Sequence, residues 1–370
     1  MNLLFTPRDD LVDYEWNNQR ENWSRPDIDR KVLKQLSERS SAHGLLRVSL
    51  LIFFLAASAV AFVLVGRISI LLAIPLLYVY YFFYGFWVAL AHELQHKIVF
   101  ARSADWFSEI LYFFVQILIW NSPRYARVSH RLHHRYTMVV GVDPETFYME
   151  RLSFRWLRKF LFQRILAILV VWAVVDLVRA IMQQVGRIAG KKDRMMREQC
   201  TDKDNRTIRI ESAAILFIHL SVIAGAIIFG LWELLLFITI AWQIGAAIEG
   251  LWHATEHIGR LHNINDLRLA TRSIRVGSFV GLIFGGLDRH IDHHIYPSVP
   301  SRNLAKLHEE LKSELPEARG IVGCWREMFA IAREKDERRR NEYVPVSLDD
   351  NDDASSANRV TGAIKEFGTA

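Results

Sequence analysis

The chain has 370 residues, of which 51% are hydrophobic and 23% charged, and its mean hydropathy is +0.10. This composition is too apolar for an ordinary soluble protein, and it excludes an intrinsically disordered or collagen-like chain. The two cysteines, Cys200 and Cys324, are too few for a disulfide scaffold and too far apart for a Cys-x-x-Cys zinc or redox motif. The formal net charge is +6.

Long apolar runs dominate the chain after a polar segment at 1–44, which is predicted to be cytosolic. Each run is long enough to cross about 30 Å of hydrocarbon as a helix. The first two runs are joined by a short connection, and so are the last two, so the sequence predicts two membrane hairpins within a domain spanning 45–334. The predicted spanning segments are about 48–66, 68–91, 212–230 and 231–252.

Three apolar stretches fall short of the length that spans a bilayer, and we interpret them as interfacial or re-entrant. They lie at 110–123, 165–175 and 276–287. The basic and apolar stretch at 151–164 is typical of a helix on the membrane surface. From about 335 to 370 the sequence is polar and without helical or strand period, which predicts a disordered tail.

The positive residues lie almost entirely outside the predicted hairpin turns. Residues 1–47 carry eight Lys and Arg, 92–211 carry twenty, 258–370 carry seventeen, and the first turn carries only Arg67. This bias is what the positive-inside rule requires of a cytoplasmic face. It explains the basic balance without nucleic acid, and it predicts a multi-pass protein whose N- and C-termini are cytoplasmic.

Histidines are the second unusual feature, because ten of the fourteen fall in four tight groups. Residues at i, i+3 and i+4 share one face of a helix, so each group can aim several imidazoles at one point. Each group follows a spanning helix or a short apolar stretch, which places all four at one membrane face. The groups are His92 and His96; His130, His133 and His134; His253 and His257; and His290, His293 and His294.

So many imidazoles are too many for one ion, and they favour two metal ions with open positions. Imidazole suits iron, copper and zinc alike. The segment HELQH at 92–96 also matches the zinc motif of metalloproteases, but that hypothesis leaves the other histidine groups unexplained. A metal-binding membrane protein without enzymatic activity is a further, weaker alternative.

Three histidine-rich segments, in this order along the chain, are specific to one family of membrane proteins. They are HELQH at 92–96, SHRLHHRYT at 129–137 followed by Asp143-Pro144-Glu145, and RHIDHHIYPSVP at 289–300. With them the chain resembles the membrane-bound fatty acid desaturase and hydroxylase superfamily over about 80–312, with some similarity to alkane hydroxylases. The resemblance implies an all-α integral membrane protein of four transmembrane helices, interfacial helices and a cytosolic histidine-rich cap that holds two iron ions.

The same resemblance identifies His257 as the ligand at the end of the fourth helix. Four residues earlier, at His253, relatives often carry an asparagine that reaches iron through water. His253 could therefore ligate directly, act through water or cap the helix. His262 and His308 are expected to be ordinary surface residues.

Imidazole ligands need orienting partners, and five acidic residues lie within or beside the histidine segments. Arg272 and Arg275 could pair with these acids or contact a substrate carboxyl. The candidate carboxylates are Glu93, Asp143, Glu256, Asp288 and Asp292.

The resemblance implies an oxidoreductase that uses O₂ to oxidise an unactivated C–H bond in a fatty acyl or similar lipid chain. Desaturation is the leading hypothesis, and hydroxylation of an acyl, alkane or specialised-metabolite substrate is the alternative. The sequence contains no haem-binding, iron–sulfur or flavin motif. A separate electron donor of the ferredoxin, rubredoxin or cytochrome b5 type is therefore expected.

Overall fold

The structure is a computed structural model that describes residues 24–146 and 152–342. It is 73% helical, and its two short strands, β1 at Ile274–Arg275 and β2 at Arg319–Gly320, pair in parallel. This confirms the predicted helical fold class. Most of the predicted N-terminal segment at 1–44 lies outside the described residues.

The first half of the chain forms eight α-helices that are separated by short connections. A 3₁₀ turn at Arg102–Ala104 precedes the fifth helix. The helices are α1 (Arg30–Leu36), α2 (Ser41–Gly66), α3 (Ile70–Gly85), α4 (Trp87–Gln95), α5 (Asp105–Leu118), α6 (Pro123–Arg135), α7 (Phe154–Ile168) and α8 (Val171–Ile188).

The second half of the described chain contains one long helix, one short π-helical segment at Leu235–Thr239, a 3₁₀ turn at Leu287–Arg289 and several shorter helices. The helices are α9 (Arg194–Glu198), α10 (Asp202–Phe229), α11 (Ala241–His257), α12 (Leu267–Ala270), α13 (Ser278–Ile283), α14 (His290–Ile295), α15 (Ser301–Leu311) and α16 (Ile321–Glu342).

Four helical segments are long and apolar enough to cross a membrane, which confirms the predicted number. Their ends differ from the predicted ones because polar residues can continue a spanning helix into water. Thr201 starts α10 well before 212, since its hydroxyl accepts the Asp204 N–H and the Asp204 carboxylate accepts the Thr201 N–H. The hairpin arrangement stays a prediction. The segments are Ser41–Gly66, Ile70–Gln95, Asp202–Phe229 and Leu235–His257.

Helices α7 and α8 meet at an angle of 94°. Val170 lies between them with a left-handed φ of 68°, which a β-branched residue adopts only under strain and which ends α7. The predicted non-spanning stretch at 165–175 covers this bend. The pair forms either a broken fifth span or a re-entrant loop.

The segment that carries the third histidine group is held by packing at one end of the bundle. Helix α14 packs against α12 and α15, and α15 also contacts α1. The buried side chains of this cluster include Leu36, Ile291, Ile295, Leu304 and Leu307. Burial of these residues fixes the position of α14 from several directions.

Helix α16 continues to Glu342, so the predicted disordered tail does not begin at 335. The side chains of Glu334 and Arg338 pair at 2.5 Å, one helical turn apart. Charge pairs of this kind support a helix that lacks an apolar period. The remainder of the predicted tail, 343–370, lies outside the described residues.

Two glycines allow α3 and α11 to pack closely. A Cβ atom on Gly245 would lie 2.9 Å from the Gly85 nitrogen and 3.0 Å from the Tyr81 carbonyl oxygen, and one on Gly85 would lie 2.7 Å from the Gly245 oxygen. Small residues at such contacts let spanning helices approach each other. The contact sets the distance between α11, which carries His253 and His257, and the spanning segment Ile70–Gln95, which ends in the α4 turn that carries His92.

We therefore expect Gly245→Val to destabilise the protein by about 1–3 kcal/mol, because the added methyl groups overlap the backbone of α3. Thermal unfolding in detergent measures this as a lower midpoint. Gly225→Val is the matched control, since a Cβ there meets nothing within 4 Å. Equal destabilisation by both variants would show that helix propensity, and not the close contact, is responsible.

Candidate metal centre

Nine of the ten clustered histidines converge at one end of the helical bundle. They come from the end of α4, from α6, from the end of α11 and from α14. Helix α6 starts at Pro123, with the Ser122 hydroxyl accepting the Tyr125 N–H, which sets the rotation of its histidine face. The nine side chains form two groups in which the potential ligand atoms lie within 4.8 Å of one another.

The first group contains five histidines, with their Nε2 atoms directed at one point. The Nε2 of His92 lies 2.7 Å from that of His293. The Nε2 of His96 lies 2.8 Å from that of His130 and 3.1 Å from that of His134. The first, second and third sequence motifs therefore all contribute to one group.

The second group contains four histidines. The Nε2 of His290 lies 3.0 Å from the Nε2 atoms of both His257 and His294. The ring of His133 lies with its centroid 4.8 Å from that of His257 and 4.9 Å from that of His294. This group therefore joins the end of α11 to α6 and α14.

The two groups are neighbours built from the same helices. Helix α6 contributes His130 and His134 to the first group and His133 to the second. Helix α14 contributes His293 to the first group and His290 and His294 to the second. The rings of His134 and His294, one from each group, stack with centroids 4.3 Å apart. A motif with spacing i, i+3, i+4 thus supplies two adjacent sites at once.

The spacing and chemistry of these nitrogens fit metal ions. Two imidazole nitrogens bound to one ion at about 2.1 Å and at right angles lie about 3.0 Å apart. The closest Nε2 pairs lie between 2.7 and 3.2 Å. Within the described chain neither cysteine belongs to either group, so the potential ligands are all imidazoles. This donor set suits iron, copper or zinc.

The protonation of the rings also suits metal binding, which requires neutral imidazoles. Burial and the neighbouring imidazoles hold the pKa of His134, His290 and His294 well below the ordinary value. The same causes lower the pKa of His293 to about 3. Burial also acts on His133, but the carboxylates of Asp143 and Glu145 overcome it and raise its pKa.

One predicted carboxylate orients a histidine directly. The Nδ1 of His133 lies 2.9 Å from an oxygen of Asp143. Asp143 is 4% exposed, and it accepts hydrogen bonds from the Met138 N–H and the Thr146 hydroxyl. This network fixes the ring and leaves its Nε2 for the second group, in the arrangement common behind metal-ligating histidines.

The other predicted carboxylates have different partners. Glu93 pairs with Arg47, and Asp292 lies 3.2 Å from the Nδ1 of His308. A Glu256 oxygen lies 2.8 Å from the His253 Nδ1 and 3.4 Å from the His290 Nε2. In the described chain no histidine of either group makes a hydrogen bond to the fifth candidate, Asp288.

His253 lies outside both groups. Its Nδ1 is held by Glu256 at 2.8 Å, and a Glu249 oxygen lies at 3.8 Å. Its ring centroid is 6.4 Å from that of His290. The side chain therefore lies beside the second group and lines a cavity that also reaches the first.

Arg272, Arg275 and His308 differ in part from what the sequence predicts for them. Arg272 is buried and pairs with Glu327, which is none of the candidate acids, while it donates to the backbone carbonyls of Thr255 and Ile258. Arg275 is exposed. His308, expected at the surface, is half-buried because it meets Asp292.

Arg47 is a site residue that the sequence did not reveal. Its guanidinium is 4% exposed and pairs with Glu93, and it also donates to the Ser301 hydroxyl at 3.1 Å. It thereby links α2 to α4 and to the start of α15. In the sequence, Arg47 is one of the eight basic residues at 1–47, and its position at the start of an apolar run is the signal that distinguishes it from the others.

Glu145 follows the second histidine segment, in Asp143-Pro144-Glu145, and it is an orienting carboxylate outside the five candidates that the sequence indicates. Its oxygens lie 2.9 Å from the Ser129 hydroxyl and 3.5 Å from the Nδ1 of His130. The His130 ring therefore has a carboxylate behind it, as His133 has Asp143. The pKa of Glu145 is held below its usual range by the two histidines and Ser129, despite its burial.

The helical membrane fold and the two adjacent histidine clusters define a candidate metal-dependent membrane enzyme. Residues 68–324 match the model of the fatty acid desaturase family, so the chain belongs to that family. No curated protein matches the chain. Membership implies oxidation of the desaturase or hydroxylase type, and the match includes the whole of the segment 80–312 that resembles this family.

We expect Asp143→Asn to lower metal affinity by about 10- to 100-fold, because the amide no longer provides two acceptor oxygens for the His133 ring and the three other donors, the Met138 and Glu145 N–H groups and the Thr146 hydroxyl. Metal content after dialysis against a graded chelator measures the change. Asp288→Asn is the control, and its metal content should follow that of the unchanged protein. Equal loss in both variants would show that the orienting contact at Asp143 has no special role.

Proposed function

We propose that this protein catalyses O₂-dependent oxidation of an unactivated C–H bond in a fatty acyl or similar lipid chain, with desaturation as its reaction. The observation that carries the proposal is the pair of histidine groups shared between α6 and α14 in a chain of the fatty acid desaturase family. Two adjacent nitrogen-rich sites suit a pair of redox metals far better than one structural zinc.

Iron is the metal that we propose, with both ions held by the nine histidines. The ligands of the first site are His92, His96, His130, His134 and His293, and those of the second are His133, His257, His290 and His294. When bound, an iron pair supplies the activation of O₂ that removal of hydrogen from a CH₂ group requires. The protein's own contribution is to hold the ligands and to favour the neutral imidazole at His134, His290, His293 and His294.

The burial of the site supports this chemistry. Seven of the nine histidines are buried and the other two are half-buried. Exclusion of water protects a reactive site from side reactions and strengthens the interactions inside it. Asp143, Glu145 and the Ala270 carbonyl lie behind His133, His130 and His257 and keep the rings oriented.

The overall reaction balances with an external donor. In desaturation, the lipid chain loses two hydrogens, and O₂ with two electrons and two protons from outside becomes two waters. In hydroxylation, one oxygen atom enters the chain and the other leaves as water, with the same two electrons and two protons. Mass analysis of the lipid distinguishes loss of two hydrogens from gain of one oxygen.

The structure argues against the metalloprotease alternative. In that mechanism the glutamate of the HELQH segment is a general base and needs access to a metal-bound water. Glu93 is 2% exposed and pairs with the buried guanidinium of Arg47. His92 and His96 also share their group with three histidines from two other motifs.

Replacing one ligand of each site tests the proposal. We expect His130→Ala and His294→Ala each to abolish lipid oxidation and to reduce bound iron from about two ions per chain, because each removes a nitrogen from one group. His43 lies outside both groups, so His43→Ala should retain both lipid oxidation and bound iron. Full activity in either ligand variant, or a single zinc in the purified protein, would contradict the assignment.

We further propose that the histidine groups face the cytoplasm and receive electrons from a separate acidic donor protein. Helix α6 supports this, because Arg131 and Arg135 are exposed on the helix whose buried face carries three histidines. Such residues attract an acidic ferredoxin, rubredoxin or cytochrome b5-type protein.

We expect the donor-dependent rate to fall as ionic strength rises, since salt screens attraction between exposed charges. Arg131→Glu should reduce the rate with the protein donor more than Arg67→Glu, a charge reversal in the predicted first turn. Single-turnover rates with a small chemical reductant serve as the control. A salt-insensitive rate with the protein donor would contradict electrostatic docking.

A further inference from the structure

A cavity of about 90 Å³ lies inside the bundle and reaches both His92 and His130 of the first histidine group. It is enclosed by residues of α4, α5, α6, α8 and α11. Its volume has room for several heavy atoms beyond a single water. A substrate segment in this cavity would lie directly beside the potential metal ligands.

The cavity wall is mainly apolar, but it carries several amide side chains that a plain hydrocarbon would not need. Amide side chains contribute to it from four different segments, namely Gln95, Gln116, Asn121 and Gln183. Ligand pockets for lipid chains are lined mainly by apolar side chains, with a few polar groups that fix orientation. The amides therefore indicate a polar group in the occupant.

Two of these amides have an unsatisfied acceptor. The Oε1 atoms of Gln116 and Gln95 are both buried and have no hydrogen-bond partner among the described residues. Gln116 is only 1% exposed. A buried oxygen without a partner is unfavourable, so each atom is poised to accept a hydrogen bond from whatever fills the cavity.

The charged and hydroxyl groups of the wall are, by contrast, already engaged. The Ser129 hydroxyl donates to Glu145 at 2.9 Å, and the Nδ1 of His253 lies 2.8 Å from Glu256. None of the described residues that line the cavity is a lysine or arginine. The cavity is therefore unsuited to a carboxylate or phosphate, and its free acceptors fit a neutral donor.

We propose that this cavity binds a neutral hydrogen-bond donor, a hydroxyl or an amide N–H, which the lipid substrate carries within a few carbons of the position that is oxidised. The inference rests on the proposed oxidation function and specifies its substrate. The donor's single hydrogen bonds to the Oε1 of Gln116 and places the neighbouring CH₂ groups beside His92 and His130. A plain chain leaves this oxygen unpaired and binds less well.

The test compares substrates that differ only in the donor. Iron-loaded full-length protein in phospholipid nanodiscs receives methyl palmitate, N-methyl palmitamide or the alpha-hydroxy derivative of methyl palmitate, with a chemical reductant and O₂. We expect the amide and the hydroxy ester to be oxidised at least about tenfold faster than the plain ester. We also expect oxidation within a few carbons of the donor.

Variants separate binding of the donor from a structural role. Gln116→Met removes the acceptor at similar volume and should abolish the preference for the donor-bearing lipids while leaving the iron content unchanged. Gln116→Glu retains an acceptor and should keep the preference. Gln183→Met makes the same chemical change at a cavity amide whose oxygen is not one of the buried unpaired acceptors, and it should keep the preference too.

Equal rates for the amide and the ester, or a preference that survives in Gln116→Met, would overturn the inference and show that the acceptors bind only water. Failure of the iron-loaded protein to oxidise any of the three lipids would refute the proposed function, on which the inference rests. A tenfold preference lost only in Gln116→Met would support both.

Discussion

The structure depends on bringing nine imidazoles together although they cannot all carry a charge. Rings whose Nε2 atoms lie about 3 Å apart cannot all be protonated, because like charges at that distance in a buried site repel strongly. Burial and the neighbouring imidazoles lower the pKa of His134, His290 and His294, which favours the neutral form that binds metal. Four chain segments must therefore meet at one end of the bundle, and each needs support from outside the cluster.

Arg47 and Glu93 provide part of that support. A buried pair of this kind is tolerated only when both charges are present, since either one alone would be left without a partner. Arg47 also packs against Gly285, which has a φ of 71°, so closely that a Cβ there would overlap a guanidinium nitrogen. Through Arg47, the first spanning helix therefore contacts both the HELQH helix and the segment just before the third motif. Distant parts of the bundle position the same metal site.

The cavity combines a position beside the histidine groups with unpaired hydrogen-bond acceptors in its wall. Its boundary with His92 and His130 places an occupant beside the potential metals, while the unpaired oxygens of Gln116 and Gln95 select what that occupant is. Oxidation of a CH₂ group needs the chain to be held in register with the metals, because small displacements change the outcome. A hydrogen bond a few carbons away fixes that register more firmly than apolar contacts do.

The sequence by itself determined the number of spanning helices and the histidines that come together, because hydropathy over some twenty residues and i, i+3, i+4 spacing are local properties. It also indicated Asp143, which lies close to His133 along the chain. Only the tertiary structure decided which histidine joins which group, that His253 stays outside both, and that Glu93 pairs with Arg47. These outcomes depend on how helices far apart in sequence pack, and a local pattern does not contain that information.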